Sequence, residues 1–183
     1  MIDIDSAVAP KKSKFWRLRN NARLEPQRWR WPLGRLGNRD PIVLDESSGT
    51  HHGVDIGYAA FPSDSLLYVP VYAAQAGEVS AAIDLPTGHA ITLDHGAHNI
   101  CTQYAHLSKM FVTPCLPKAR RRQFVRAGEV IGYAAKSPLH IRFELWRWTD
   151  GNGYVAVDPL PEMLGWVKPL TPAETRAVKK EAA

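Results

Sequence analysis

Between residues 42 and 148 the chain is a succession of short apolar or alternating runs divided by turn signals, and no amphipathic helix of ten or more residues begins before Thr171. The runs are Val69–Ala74, Gly77–Ile83, Ala90–His95, Ile100–Leu107, Val130–Ala135 and His140–Trp148. Breakers at Pro86-Thr87-Gly88, His95-Gly96 and Ala127-Gly128 fall between them. A period of two residues places successive side chains on opposite faces, so such runs form half-buried strands and not helices. The pattern predicts an all-β fold, a compact and mostly antiparallel barrel or sandwich, with a short C-terminal helix over 172–183.

The ends differ from this centre. Residues 1–39 hold ten Lys/Arg against three Asp/Glu, so the formal charge of +5 for the 183-residue chain belongs to the N-terminal side. The expected organisation is a basic, Trp-rich arm over 1–40, a β domain over 41–168 and a tail over 169–183. Trp16, Trp29 and Trp31 alternate with arginines in the arm. Such a mixture can contact phosphates and stack on bases. The favoured reading has the tryptophans packed on the domain, because Trp29-Arg30-Trp31-Pro32-Leu33 leads straight into the core region; nucleic acid is not expected as a partner. The stretch Pro114–Arg126, with Arg120-Arg121-Arg122, reads as an exposed basic loop without a strand. No run approaches the ~20 apolar residues needed to span a bilayer. The first residues, Met1-Ile2-Asp3-Ile4-Asp5, lack the apolar segment of a secretory signal. Cys101 and Cys115 lack metal or redox spacing; two unpaired thiols are expected, a bridge between them being the lesser reading.

Two segments carry chemistry. His51-His52-Gly53-Val54-Asp55 presents an imidazole and a carboxylate four positions apart. In His140-Ile141-Arg142-Phe143-Glu144 strand alternation puts His140, Arg142 and Glu144 on one face, and Ile141 and Phe143 on the other. The apolar set belongs to the core, so the polar set lines a surface or groove.

In this order the segments resemble those of the LytM/lysostaphin-type zinc endopeptidases, which cut the peptide cross-links of peptidoglycan. The likeness runs from about Trp31 to Pro159. Besides the two segments above it includes Val71-Tyr72-Ala73-Ala74-Gln75-Ala76-Gly77-Glu78-Val79, Ile91-Thr92-Leu93-Asp94-His95-Gly96, Tyr104-Ala105-His106-Leu107-Ser108 and Val125-Arg126-Ala127-Gly128-Glu129-Val130-Ile131-Gly132. The resemblance implies a lysostaphin-like β domain with a groove at one end. It also implies zinc ligation by His51 and Asp55, with His106 and His140 as the catalytic pair flanking the attacking water. Arg142 stands where the family has its third zinc ligand. Guanidinium offers no lone pair and stays protonated. At about 4 Å and an effective dielectric of about 20 it would repel a divalent ion by of order 8 kcal/mol. A pairing of Arg142 with Asp55 in place of the metal is therefore expected, and no cofactor. His140 would be the likeliest substitute ligand should zinc be retained. Arg142, Tyr104 and Glu144 are the candidate peptide-binding residues. The segment between Gly132 and His140 is short for the family, so the groove is expected to be reshaped. His89, His95 and His98 are expected to be structural or exposed.

The function that follows is a zinc-free, catalytically inactive member of the fold that binds peptidoglycan peptides. It could also serve in assembly or regulation through protein subunits docked on residues 1–40. The alternative is an active zinc metalloendopeptidase with an altered ligand set. Without a signal of its own, delivery to the cell wall or periplasm would fall to a virion, such as a phage tail, or to an injection apparatus.

Overall fold

In the computed structural model the described residues are 29–36, 39–45, 52–59, 68–117, 123–134 and 139–167. They contain ten strands: β1 (Ile42–Asp45), β2 (Val54–Gly57), β3 (Pro70–Tyr72), β4 (Gly77–Leu85), β5 (Gly88–Asp94), β6 (Ile100–Met110), β7 (Phe124–Val125), β8 (Val130–Ala134), β9 (His140–Thr149) and β10 (Gly153–Val157). A short helix, α1 (Leu160–Met163), follows. The strands join in one antiparallel sheet in the order β1-β2-β9-β6-β5-β4-β7; β10 pairs with β9, and β8 links β6 to β3. The fold is all-β, as the periodicity predicts.

All six runs read from the sequence contain strands. Four further strands, β1, β2, β7 and β10, have five residues or fewer and are too short to leave a periodic signature. One of them corrects the strandless loop expected over Pro114–Arg126. Phe124 and Val125 pair with Glu78 and Gly77, and Cys115 exchanges two backbone hydrogen bonds with Ala82. Residues 118–122, with the three arginines, lie outside the described residues, as does the helix expected over 172–183.

The core sits where the strand alternation puts it. Along β9 the odd positions Ile141, Phe143 and Leu145 are buried while His140, Arg142 and Glu144 are half-buried. Val54, Ile56, Ile91, Leu93, Tyr104 and Leu107 complete the same apolar layer from the neighbouring strands. The packed domain begins earlier than residue 41. Leu33 is fully buried and bridges Val71. Trp29 stacks on Trp166 with ring centroids 5.0 Å apart, and the Trp31 indole N–H donates to the Met163 carbonyl. These tryptophans thus clasp the two ends of the domain together, their rings packed inward as expected; Trp16 lies outside the described residues. Cys101 and Cys115 are not bridged to one another.

Candidate functional site

β9 is the spine of the site, because β2 and β6 flank its first half. The β2–β9 register sets Asp55 directly opposite Arg142, and the β6–β9 register sets Ala105 opposite Arg142 and Gln103 opposite Glu144. All these residues fall on the face away from the core. The pairing converts three distant stretches of sequence into one transverse row.

Within that row the Arg142 guanidinium is held on three sides. Its Nη1 donates to Asp55 Oδ1 at 3.2 Å and its Nη2 to the His52 carbonyl at 3.3 Å. Its Nε lies 3.9 Å from Glu144 Oε1. Glu144 is fixed in turn, since its Oε2 accepts from the Trp146 indole at 3.0 Å and from Gln103 Nε2 at 3.3 Å. The His52 ring meets Trp146 edge-on.

His140 begins β9, with Nε2 3.9 Å from Asp55 Oδ2 and 2.9 Å from His106 Nδ1. His106 reaches it through an unusual backbone, with φ of +59°. A left-handed conformation at a residue other than Gly or Asn costs of order 1 kcal/mol and concentrates at ligand-binding positions. Burial, followed by the adjacent His140, lowers the His106 pKa, which keeps its ring neutral at pH 7.

Of the residues singled out from the sequence, Asp55, His106, His140, Arg142 and Glu144 are brought together, and Arg142 contacts Asp55 as expected. His51 lies outside the described residues. Tyr104 is a correction. It is fully buried on the core face, and its hydroxyl accepts from the Ala74 amide at 2.8 Å and from Thr102 Oγ1 at 3.0 Å. It braces the sheet beneath the site and does not line a groove, because position 104 has the opposite parity to Gln103 and Ala105. The sequence reading missed Gln103, Trp146 and the His52 carbonyl; only Trp146, two positions beyond Glu144 on the same strand face, left a signal. His95 is structural, its two ring nitrogens hydrogen-bonded to the Ala76 carbonyl and Thr102 Oγ1. His89 pairs with Asp84 on the β4–β5 hairpin, and His98 lies against Trp29.

Asp55, His106 and His140 offer ligand atoms within 4.8 Å of one another, close enough to share one ion. The chemistry of the complete set opposes one. Oδ1 of Asp55 already accepts from a permanent cation, and the position implied for the third zinc ligand holds the guanidinium itself. These residues do not fit zinc in the manner the resemblance implies.

A single antiparallel sheet that gathers an aspartate and two histidines on one face defines a lysostaphin-like metallopeptidase domain. Peptidase family M23 matches residues 49–159, well over half of the chain, and the protein belongs to that family, whose members are zinc-dependent and act on peptidoglycan. No curated protein matches the chain. Among solved structures it is similar to Helicobacter pylori Csd3 (19% identity, TM-score 0.51, covering 84% of this chain and 38% of that one). It is similar also to the SpoIIQ–SpoIIIAH pore-forming complex (21% identity, TM-score 0.51, 81% and 96%). The third is lysostaphin of Staphylococcus simulans (22% identity, TM-score 0.50, 77% and 59%). The chain thus spans about two fifths of Csd3, and identities at this level speak to the fold.

Proposed function

We propose that this protein is a metal-free, non-hydrolytic member of family M23 that binds peptidoglycan peptides over β9 as a wall-binding or assembly module. The observation that carries this reading is the Arg142–Asp55 pair. An internal cation neutralises the carboxylate that would otherwise grip the ion, and its repulsion of a divalent metal, of order 8 kcal/mol at about 4 Å, is comparable to much of the binding energy of a protein zinc site. Hydrolysis of a peptide bond at neutral pH needs an activated water and a stabilised oxyanion. The histidines could accept a proton, but a guanidinium does not lower the pKa of a water it cannot coordinate. What the site retains is suited to holding a peptide: imidazoles as donors or acceptors, a guanidinium fixed by two acceptors beside a second carboxylate, and the strained His106 backbone.

The test uses purified sacculi. The protein is expected to co-sediment with them, to release no soluble fragments, and to contain far less than one zinc per chain by elemental analysis. Fragment release that disappears in His140→Ala overturns the proposal. The spacing of Asp55, His106 and His140 favours a second reading, an endopeptidase with an altered ligand set; that reading requires stoichiometric zinc that is lost in His106→Ala.

A further inference from the structure

A second transverse row runs beside the one that holds Arg142. Ile42 on β1 pairs with Gly57 on β2, and Gly57 pairs with His140 on β9. This row lies two residues along β2 and β9 from the Asp55–Arg142 pair, so both fall on the same face of the sheet. Val43 turns the other way and packs against the core beside its partner Ile56. Ile42 and Leu44 therefore share the site face. The Cδ1 of Leu44 lies 2.6 Å from where a Cβ on Gly57 would stand, and the Cβ of His140 lies 3.3 Å from the same point. Leu44 and His140 thus adjoin over the bare backbone of Gly57.

Both aliphatic side chains are open to solvent, Ile42 at 41% and Leu44 at 46% exposure. Strand β1 stands at one end of the strand order, and the solvent-facing positions of an edge strand are ordinarily polar or charged. Two adjoining branched aliphatics in that place form an apolar patch, and such a patch marks a binding surface. What it adjoins indicates its occupant. Through Gly57 the patch is continuous with His140, and so with the histidine pair at which the bound peptide lies in the proposed function. A polar side chain laid over Ile42 and Leu44 would lose its water and gain no hydrogen bond from them, whereas an alkyl group gains by leaving water.

We infer that Ile42 and Leu44 form a specificity subsite beside His140 that takes an alkyl side chain of the bound peptide. The inference rests on the peptide-binding reading above and narrows it to peptides with a small aliphatic residue, such as alanine, next to the one held at the histidines. Gly57 belongs to the same device. A side chain at position 57 would take the place of Leu44 and separate the patch from His140.

The experiment is a calorimetric titration of the full chain with two synthetic stem peptides. One contains alanines, and the other is identical but has serine in place of each alanine. The alanyl peptide is expected to bind about fivefold more tightly, the cost of covering a hydroxyl without a partner. In Leu44→Ser the ratio should fall to about one. Ile42→Thr keeps the branched β-carbon of an edge strand and should lower the ratio about twofold, which preserves the test should Leu44→Ser fail to fold. Equal affinities for the two peptides in the unsubstituted protein overturn the subsite and leave peptide binding standing. A preference that survives both substitutions overturns it as well. A dimer in sedimentation that Leu44→Ser dissolves also overturns it, by giving the patch to a second copy of the chain. Binding of neither peptide removes both the subsite and the reading beneath it.

Discussion

Asp55 and Arg142 stand directly opposite one another on β2 and β9, and Nη1 of the arginine lies 3.2 Å from Oδ1 of the aspartate. The two side chains are each about one-fifth exposed, so the pair is neither a solvated surface contact nor a fully buried one. On the proposed reading this side-chain cation stands in for the metal ion of the family, and two expectations follow from the pair.

Replacing the cation by the family's ligand should reopen the site. Arg142→His is expected to take up close to one zinc per chain by elemental analysis, against a small fraction for the unsubstituted protein. Equal zinc contents in the two proteins would show that more than the guanidinium excludes the metal.

The pair should also be visible in stability. Asp55→Ala leaves a half-buried guanidinium with one carboxylate fewer and should cost about 1–3 kcal/mol in urea unfolding. The double variant Asp55→Ala/Arg142→Met removes both charges and should lose less than the sum of Asp55→Ala and Arg142→Met measured singly. Strict additivity in that cycle would mean the two groups do not interact.

Acid should destabilise the fold through His95. Burial first, partly offset by its hydrogen bond to Ala76, pushes this histidine down to about 4 from an ordinary value of 6.5. Between those two pH values the unfolded chain takes up a proton that the folded chain does not. The stabilising contribution is therefore complete above pH 6.5 and is lost as pH falls towards 4, by of order 3 kcal/mol. Urea midpoints measured across that window should fall steeply in the unsubstituted protein and less so in His95→Gln.

Gly53 holds the turn into β2 with φ of +99°, and an added Cβ would lie 2.4 Å from the Phe143 carbonyl oxygen. Gly53→Ala should cost at least about 2 kcal/mol and weaken peptide binding, because both the backbone conformation and the approach to β9 are lost. A thermal melt beside a peptide titration checks both effects; an unchanged melting temperature would contradict the close approach.

Much of this was legible in the chain. Alternation along β9 separated His140, Arg142 and Glu144 from Ile141 and Phe143, and that separation is the one observed. The order of motifs identified the family, and the side-chain chemistry of Arg142 implied a pairing with Asp55. Less legible were elements without a period. Strand β7 has two residues, and β1 and β2 have four each, so their pairing is imposed by neighbours and not by local pattern. Tyr104 misled because its place in a motif beside His106 suggested a shared task. The backbone turns left-handed at His106, and the two side chains serve opposite faces of the sheet.

By itself, then, the sequence determined the β class and the core face of the long strands, since both follow from residue type and a period of two. Only the tertiary structure decided that the His52 carbonyl and Glu144 flank Arg142, that Gln103 and Trp146 fix Glu144, and that the N-terminal tryptophans belong to the domain. Those contacts join residues up to 132 positions apart. Strand register and chain closure create them, and no local pattern in the chain specifies either.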